Sequence, residues 1–152
     1  MSNGRVFLKY WLPVLLWMVI IFTASGDTMS FQHSSRILGP LLHWLFPNIS
    51  RETLQTFVTV IRKCAHVTEY AVLALLFWRA FWKSQKIDSR PWSWRVARNA
   101  LLCSALYAAT DEFHQMFVPT RQGAWGDVLI DTIGAALGLL LAWVVRRWVK
   151  KW

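Results

Sequence analysis

Residues 107–131 read Tyr107-Ala-Ala-Thr-Asp111-Glu112-Phe-His114-Gln115-Met-Phe-Val-Pro119-Thr-Arg121-Gln-Gly-Ala-Trp-Gly-Asp127-Val-Leu-Ile-Asp131. Four carboxylates, an imidazole and a guanidinium are gathered here between two stretches apolar enough to cross a membrane. Ionisable groups in or beside hydrocarbon are costly, and by default they mark a functional site. A second run, Arg62-Lys63-Cys64-Ala65-His66-Val67-Thr68-Glu69-Tyr70, carries the same chemistry. An imidazole beside a carboxylate can act as a general base. Carboxylates and imidazoles together can also ligate zinc, manganese or magnesium. Guanidinium and ammonium groups form strong charge-assisted contacts with phosphate or carboxylate.

Two roles follow. In the first, a membrane-embedded enzyme acts on a lipid-linked substrate through His66, Glu69, Asp111, Glu112 and His114. A divalent cation could assist on Glu69, Asp111, His114 and Asp127, lowering the pKa of a bound water. In the second, the site only binds an anionic headgroup or an envelope precursor. Under either role Arg62, Lys63, Tyr70, Gln115, Arg121, Asp127 and Asp131 contact the substrate. The two roles differ in what surplus acid is for. Five carboxylates (Glu69, Asp111, Glu112, Asp127, Asp131) stand against three bases (Arg62, Lys63, Arg121). An anion pocket does not need that excess, so it leans slightly toward a cation, a proton or an amine. No Ser or Cys is paired with a His as a nucleophile; Ser104 lies too deep.

Each feature also has a plainer explanation. His-x-x-Glu on a helix is by itself more often a buried hydrogen-bonded pair. Asp127 can cap a helix, where the N-terminal dipole favours an acid. Arg121 can be an interfacial anchor, and Gly134 and Gly138 are packing residues. His33, His43 and Glu52 read as loop or interfacial residues without a role. The joint placement of acids at three helix ends is what these explanations leave over.

The elements that must position these groups are helices. Of 152 residues, 55% are hydrophobic and only 16% charged, and mean hydropathy is +0.32. That composition points to a small integral membrane protein with a single domain over 1–152. The formal charge of +9 could suggest nucleic acid. The basic residues cluster at the ends of apolar stretches, however, which orients helices in a bilayer and argues against nucleic acid as a partner. Four transmembrane helices are predicted over about 8–25, 65–82, 96–118 and 128–149, each near the length a bilayer core requires. The expected fold is an all-α membrane bundle. A cleaved signal peptide competes for the first stretch, but its length and its tryptophans favour a retained helix. Cys64 and Cys103 lie at different depths, which argues against a disulfide, and no zinc-thiolate spacing is present.

Lys and Arg bias sets the expected orientation. Arg5, Lys9, Lys83, Lys86, Arg90, Arg95, Arg98, Arg146, Arg147, Lys150 and Lys151 gather at both termini and in the loop after the second span. The loop after the third span has only Arg121. Both termini are therefore expected in the cytoplasm, with Trp78, Trp82, Trp92, Trp94, Trp143 and Trp148 as an aromatic belt on that side. Residues 26–62 are then extracytoplasmic, with an interfacial or re-entrant segment ended by Pro47 and with Ser50 capping a helix that runs into span two. In this topology both histidines of the motifs and all five carboxylates lie in the outer half of the bilayer. Arg62, His66 and Glu69 share one helical stripe, as do Asp111, His114 and Gln115. Gly134-Ala-Ala-Leu-Gly138 is a small-xxx-small packing face that also carries Asp131, so this acid should point into the bundle.

These residues resemble the VanZ-like membrane protein family. The resemblance rests on Lys63-x-x-His66-x-x-Glu69-Tyr70, on Asp111-Glu112-x-His114-Gln115-x-Phe117-x-Pro119-x-Arg121, and on Asp127-x-x-x-Asp131-x-x-Gly134. Two positions depart from the family pattern: Thr120 stands where Gly is common, and Asp131 where Asn is common. The resemblance implies a bacterial cytoplasmic membrane and a link to teicoplanin, a lipoglycopeptide that acts on the cell wall outside the membrane. A membrane lipid or lipid-linked wall precursor is the expected partner. No Gly-rich phosphate cradle is present.

Overall fold

In the computed structural model the described residues are 3–26, 39–84, 92–119 and 124–149, and their regular elements are all helical, with no strand among them. The helices are α1 (Asn3–Tyr10), α2 (Leu12–Ser25), a short α3 over 39–45, α4 (Arg51–Ser84), α5 (Trp94–Gln115) and α6 (Trp125–Val149).

Local chemistry sets the boundaries. Pro13 lies in the first turn of α2, where its missing N–H costs nothing. Ser50 caps α4 as expected, its hydroxyl accepting the Thr53 N–H at 3.1 Å. Ser93 does the same for α5, accepting the Val96 N–H at 3.4 Å. Asp127 in the first turn and Arg146 and Arg147 in the last complement the dipole of α6. α5 stops at Gln115, three residues before the predicted end of the third span. There the chain tightens into i→i+3 bonds, Phe117 N–H to His114 at 3.0 Å and Val118 N–H to Gln115 at 3.1 Å. Pro119 explains the stop, because proline disfavours helical backbone in the residue before it.

Among the described residues, two helical stretches are long and apolar enough to cross a membrane, Phe7–Ser25 and Trp125–Val149. α4 and α5 carry the charged motifs, which dilute their hydropathy. α4 has 34 residues. At 1.5 Å per residue that is about 51 Å, longer than the roughly 30 Å core of a bilayer, so the predicted span 65–82 is only its second half. The apolar segment expected before α4 is helical over 39–45, and Leu41, Trp44, Leu45 and Phe46 are exposed on it. The chain turns at Pro47, and residues 27–38 lie outside the described residues.

α4, α5 and α6 pack mutually, with α4 against α6 most extensively, and α2 lies against α4 and α5. The close approach of α4 and α6 depends on glycine. A Cβ at Gly134 would sit 2.5 Å from the Val67 carbonyl oxygen, and one at Gly138 2.8 Å from that of Ala71. The expected small-xxx-small face is therefore the contact surface. Tyr70, Leu73, Ala74, Ala100, Ala108 and Ala135 belong to the buried core that α4, α5 and α6 share. Leu102, Leu106, Leu137, Leu140 and Leu141 point outward and are exposed. Cys64 and Cys103 are free thiols, as their depths implied.

Candidate functional site

The middle of α4, from Arg62 to Tyr70, meets the end of α5 and the start of α6, and each delivers acids or a histidine there. α6 sets the depth. Asp127 and Asp131 are one turn apart, and the glycine face below them draws both toward α4. At the rim, Lys63 Nζ lies 3.6 Å from Asp127 Oδ1, with the side chains 52% and 39% exposed. Solvent screens such a pair, so it contributes little to stability and leaves both charges available. Arg62 is half-buried at the same level. Burial draws its guanidinium down from its ordinary value, while Asp127 and Glu112 pull it back up. One turn deeper, His66 Nδ1 lies 3.4 Å from Asp131 Oδ1. That separation permits charge pairing without a closed hydrogen bond, and Asp131 is fully buried.

From α5, Asp111 and Glu112 are both buried. Asp111 Oδ2 accepts the Ser25 hydroxyl at 2.6 Å and the Gln115 amide at 3.1 Å. Glu112 Oε2 accepts the Ala124 N–H at 2.9 Å, which ties α5 to the residue that opens α6. Tyr70 is fully buried within electrostatic reach of both Asp111 and Asp131.

One pattern runs through these contacts. Tyr70 OH, Asp111 Oδ1, Glu112 Oε1, both oxygens of Asp131, and the Nδ1 atoms of His66 and His114 are buried with no hydrogen-bond partner among the described residues. Buried polar groups are nearly always satisfied, and each exception calls for a cause. Here the exceptions come from α4, α5 and α6, and most are acceptors. The cluster suits a proton or a ligand that donates hydrogen bonds.

The structure thus brings together Arg62, Lys63, His66, Tyr70, Asp111, Glu112, Gln115, Asp127 and Asp131. His114 is turned toward α2, its ring 4.2 Å from that of Phe22. Glu69 is half-buried, and its backbone carbonyl accepts the Trp17 indole N–H at 3.0 Å. Arg121 lies outside the described residues. The set considered for a divalent cation (Glu69, Asp111, His114, Asp127) does not converge. Among the described residues no three His, Cys, Asp or Glu side chains are grouped to hold a metal ion.

Sequence reading missed Ser25. A serine at the end of an apolar helix also fits a simple helix end, and only the packing of α2 against α5 shows that it faces Asp111. Tyr107 likewise makes a contact that its place in the sequence does not announce. Its hydroxyl donates to the Met18 carbonyl at 2.6 Å and fastens α5 to α2 below the acids. A family model described as VanZ/LLP1 matches residues 10–146. No curated protein and no solved structure matches the chain.

Proposed function

The chain belongs to the VanZ/LLP1 family, and from that premise we propose that it crosses a bacterial cytoplasmic membrane four times with both termini inside. α4 and α5 supply the second and third crossings. Asp111, Glu112 and Gln115 of α5 are buried in the bundle, and the exposure of Leu102, Leu106 and Phe113 on the same helix supports a lipid-facing outer surface. The acid-rich end then opens outward. It handles the headgroup of an envelope lipid or a lipid-linked wall precursor, a role in keeping with the family's link to glycopeptide resistance.

The observation that carries this reading is the His66–Asp131 pair set beside Tyr70 and Asp111 on three different helices. A carboxylate that orients an imidazole is what proton transfer requires. In the enzymatic form, His66 takes the proton of a water or substrate hydroxyl while Asp131 steadies the imidazolium. Arg62 and Lys63 at the rim hold the phosphate or carboxylate of the substrate.

A purely binding form is favoured by a separate observation. The Ser25 and Ser104 hydroxyls are committed to Asp111 and to the Ala100 carbonyl, at 2.6 and 2.9 Å, so neither is paired with a histidine as a nucleophile. One experiment separates the forms. Purified protein is incubated with an envelope lipid extract, and both products and retained lipid are read by mass spectrometry. Turnover that disappears in His66→Gln while lipid is still retained supports the enzyme. Retained lipid without turnover, lost in Asp131→Ala, supports binding. Neither lipid nor product on wild-type protein overturns both.

A further inference from the structure

The turn between α3 and α4 forms an apolar cavity of about 460 Å³ that the acid end does not use. Leu45, Phe46, Pro47 and Ile49 line it from the turn, and Thr53 and Phe57 from the start of α4. Backbone bonds hold the turn in shape. The Phe46 N–H donates to the Leu42 carbonyl at 2.8 Å, and the Ile49 N–H to that of Phe46 at 3.1 Å. The Ser50 cap then sets where α4 begins, and so where Thr53 and Phe57 stand. Around the cavity Trp44, Leu45, Phe46 and Phe57 are exposed. A contiguous exposed apolar patch marks a surface made to be covered, and the volume falls within the roughly 300–1,000 Å³ of small-molecule sites.

What covers it follows from the face of α4 on which it opens. At about 100° per residue, Phe57, Ile61, Cys64, Thr68, Val72 and Leu75 fall on one face. No residue of that face is charged before Arg79, which is exposed. Arg62, His66 and Tyr70 fall on the opposite face, and Arg51 and Glu52 also point away from the cavity's side. Arg79 comes 22 residues after Phe57, which is about 33 Å of helix, or about 31 Å at a tilt of about 20°. The hydrocarbon core of a bilayer is about 30 Å thick. Arg79 stands at the aromatic, basic end of α4, its guanidinium carbon 5.2 Å from the Tyr10 ring centre and one residue from Trp78, over which Arg146 lies. With Arg79 at one boundary of the core, Phe57 and the cavity reach the other. Trp44 on α3 and Trp125 at the start of α6 are exposed toward that second boundary, as interfacial tryptophans are.

We propose that this cavity seats the upper part of a phospholipid acyl chain from the leaflet at that boundary, with the lipid's ester groups beside Asn48 and Thr53. A lipid chain fits better than a protein partner for two reasons. The cavity opens onto an uncharged face that continues through the membrane, and it lies at the depth where acyl chains begin. The site is separate from the acid end, from which it is turned away around α4. It rests on the reading of α4 as a membrane crossing and not on what the acids bind.

The test uses the full chain in phosphatidylcholine vesicles that contain a small share of phosphatidylcholine with a diazirine near the carboxyl end of one acyl chain. After illumination, peptide mass mapping compares the label per residue on 45–57 with that on 113–117. The second stretch, with Phe113, Met116 and Phe117 exposed, is an apolar surface toward the same boundary but outside the cavity. Wild type should carry about fivefold more label on 45–57. Thr53→Trp, which fills the cavity, and Phe57→Asn, which opens its wall, should each bring the two stretches level. Equal labelling in wild type overturns the proposal, as does an excess that neither variant lowers. A Phe57→Cys chain in a Cys64→Ser, Cys103→Ser background tests a second copy as the occupant. A disulfide between copies, with 45–57 unlabelled in wild type, gives the cavity to that copy and overturns the proposal. Label on neither stretch defeats it together with the membrane crossings it rests on. Label on 45–57 alone upholds the cavity and defeats the crossing by α5.

Discussion

Asp131 is fully buried, and neither of its oxygens is hydrogen-bonded among the described residues. A carboxylate held in that way is costly unless it is paired, and its nearest partner, His66, is 3.4 Å away. Such a residue should cost stability and serve function. Asp131→Asn, which keeps the shape and removes the charge, should therefore unfold in detergent at the same temperature as wild type or about 2–4 °C higher. It should also lose the lipid or activity readout of the acid end. A fall in the unfolding midpoint would assign Asp131 to structure instead. Ser25 predicts the reverse. Its 2.6 Å hydrogen bond answers one oxygen of buried Asp111, so Ser25→Ala should cost about 1–3 kcal/mol. Thr56→Ala, which removes an exposed bond within one helix, should cost much less. Equal thermal shifts for the two would show that the Ser25 bond has no special weight. Asp131 was legible in the sequence because an acid inside an apolar span stands out. Ser25 was not, because a serine at the end of a greasy helix also fits a cleavage site or a simple helix end, and only the fold shows which helix end it faces.

Among the elements, the α4–α6 contact is the one most exposed to a single methyl group. At Gly134 a Cβ would meet the Val67 carbonyl oxygen at 2.5 Å and its Cα at 2.8 Å; these are backbone atoms that no rotamer change can move. Gly134→Ala must therefore push α6 away from α4, at a cost of about 1–3 kcal/mol for overpacking. The same shift would carry Asp131 away from His66, so any function of the pair should fall together with stability. Gly138→Ala should behave similarly, since its Cβ would lie 2.8 Å from the Ala71 carbonyl oxygen. Gly126→Ala should be neutral, because nothing lies within 4 Å of a Cβ there. Thermal unfolding of the three variants side by side checks the ranking, and equal midpoints would refute it. The small-xxx-small spacing announced this contact, and Ser50 announced the start of α4. The sequence was silent on the partner of the glycine face, because spacing shows that a helix can be approached closely without saying by which neighbour. It also placed the end of α5 three residues late, since Phe117 and Val118 extend the apolar pattern past the point where Pro119 turns the chain.

For the whole molecule, the question is which end of the bundle faces the cytoplasm. The two ends differ in chemistry. Acids and histidines from α4, α5 and α6 occupy one, and tryptophans stacked with Arg146 and Arg147 occupy the other. Cytoplasmic loops are enriched in Lys and Arg, and Lys83 at the end of α4, Arg95 and Arg98 at the start of α5, and Arg146 and Arg147 closing α6 lie at the tryptophan end. That end should face the cytoplasm and the acid end the outside. Single cysteines introduced into a Cys64→Ser, Cys103→Ser background report this directly. Gly126→Cys, an exposed position at the start of α6 by the acids, should react with a membrane-impermeant thiol reagent in intact cells. Ser84→Cys, at the far end of α4, should react only after lysis. The reverse pattern would turn the acid site toward the cytoplasm and remove it from any lipid headgroup or wall precursor on the outer face. Labelling at both positions in intact cells would break the pairing of α4 and α6 as membrane crossings. Labelling at Gly126→Cys alone leaves the acid end facing the outer surface, where glycopeptides act, with His66 and Asp131 one helical turn below it.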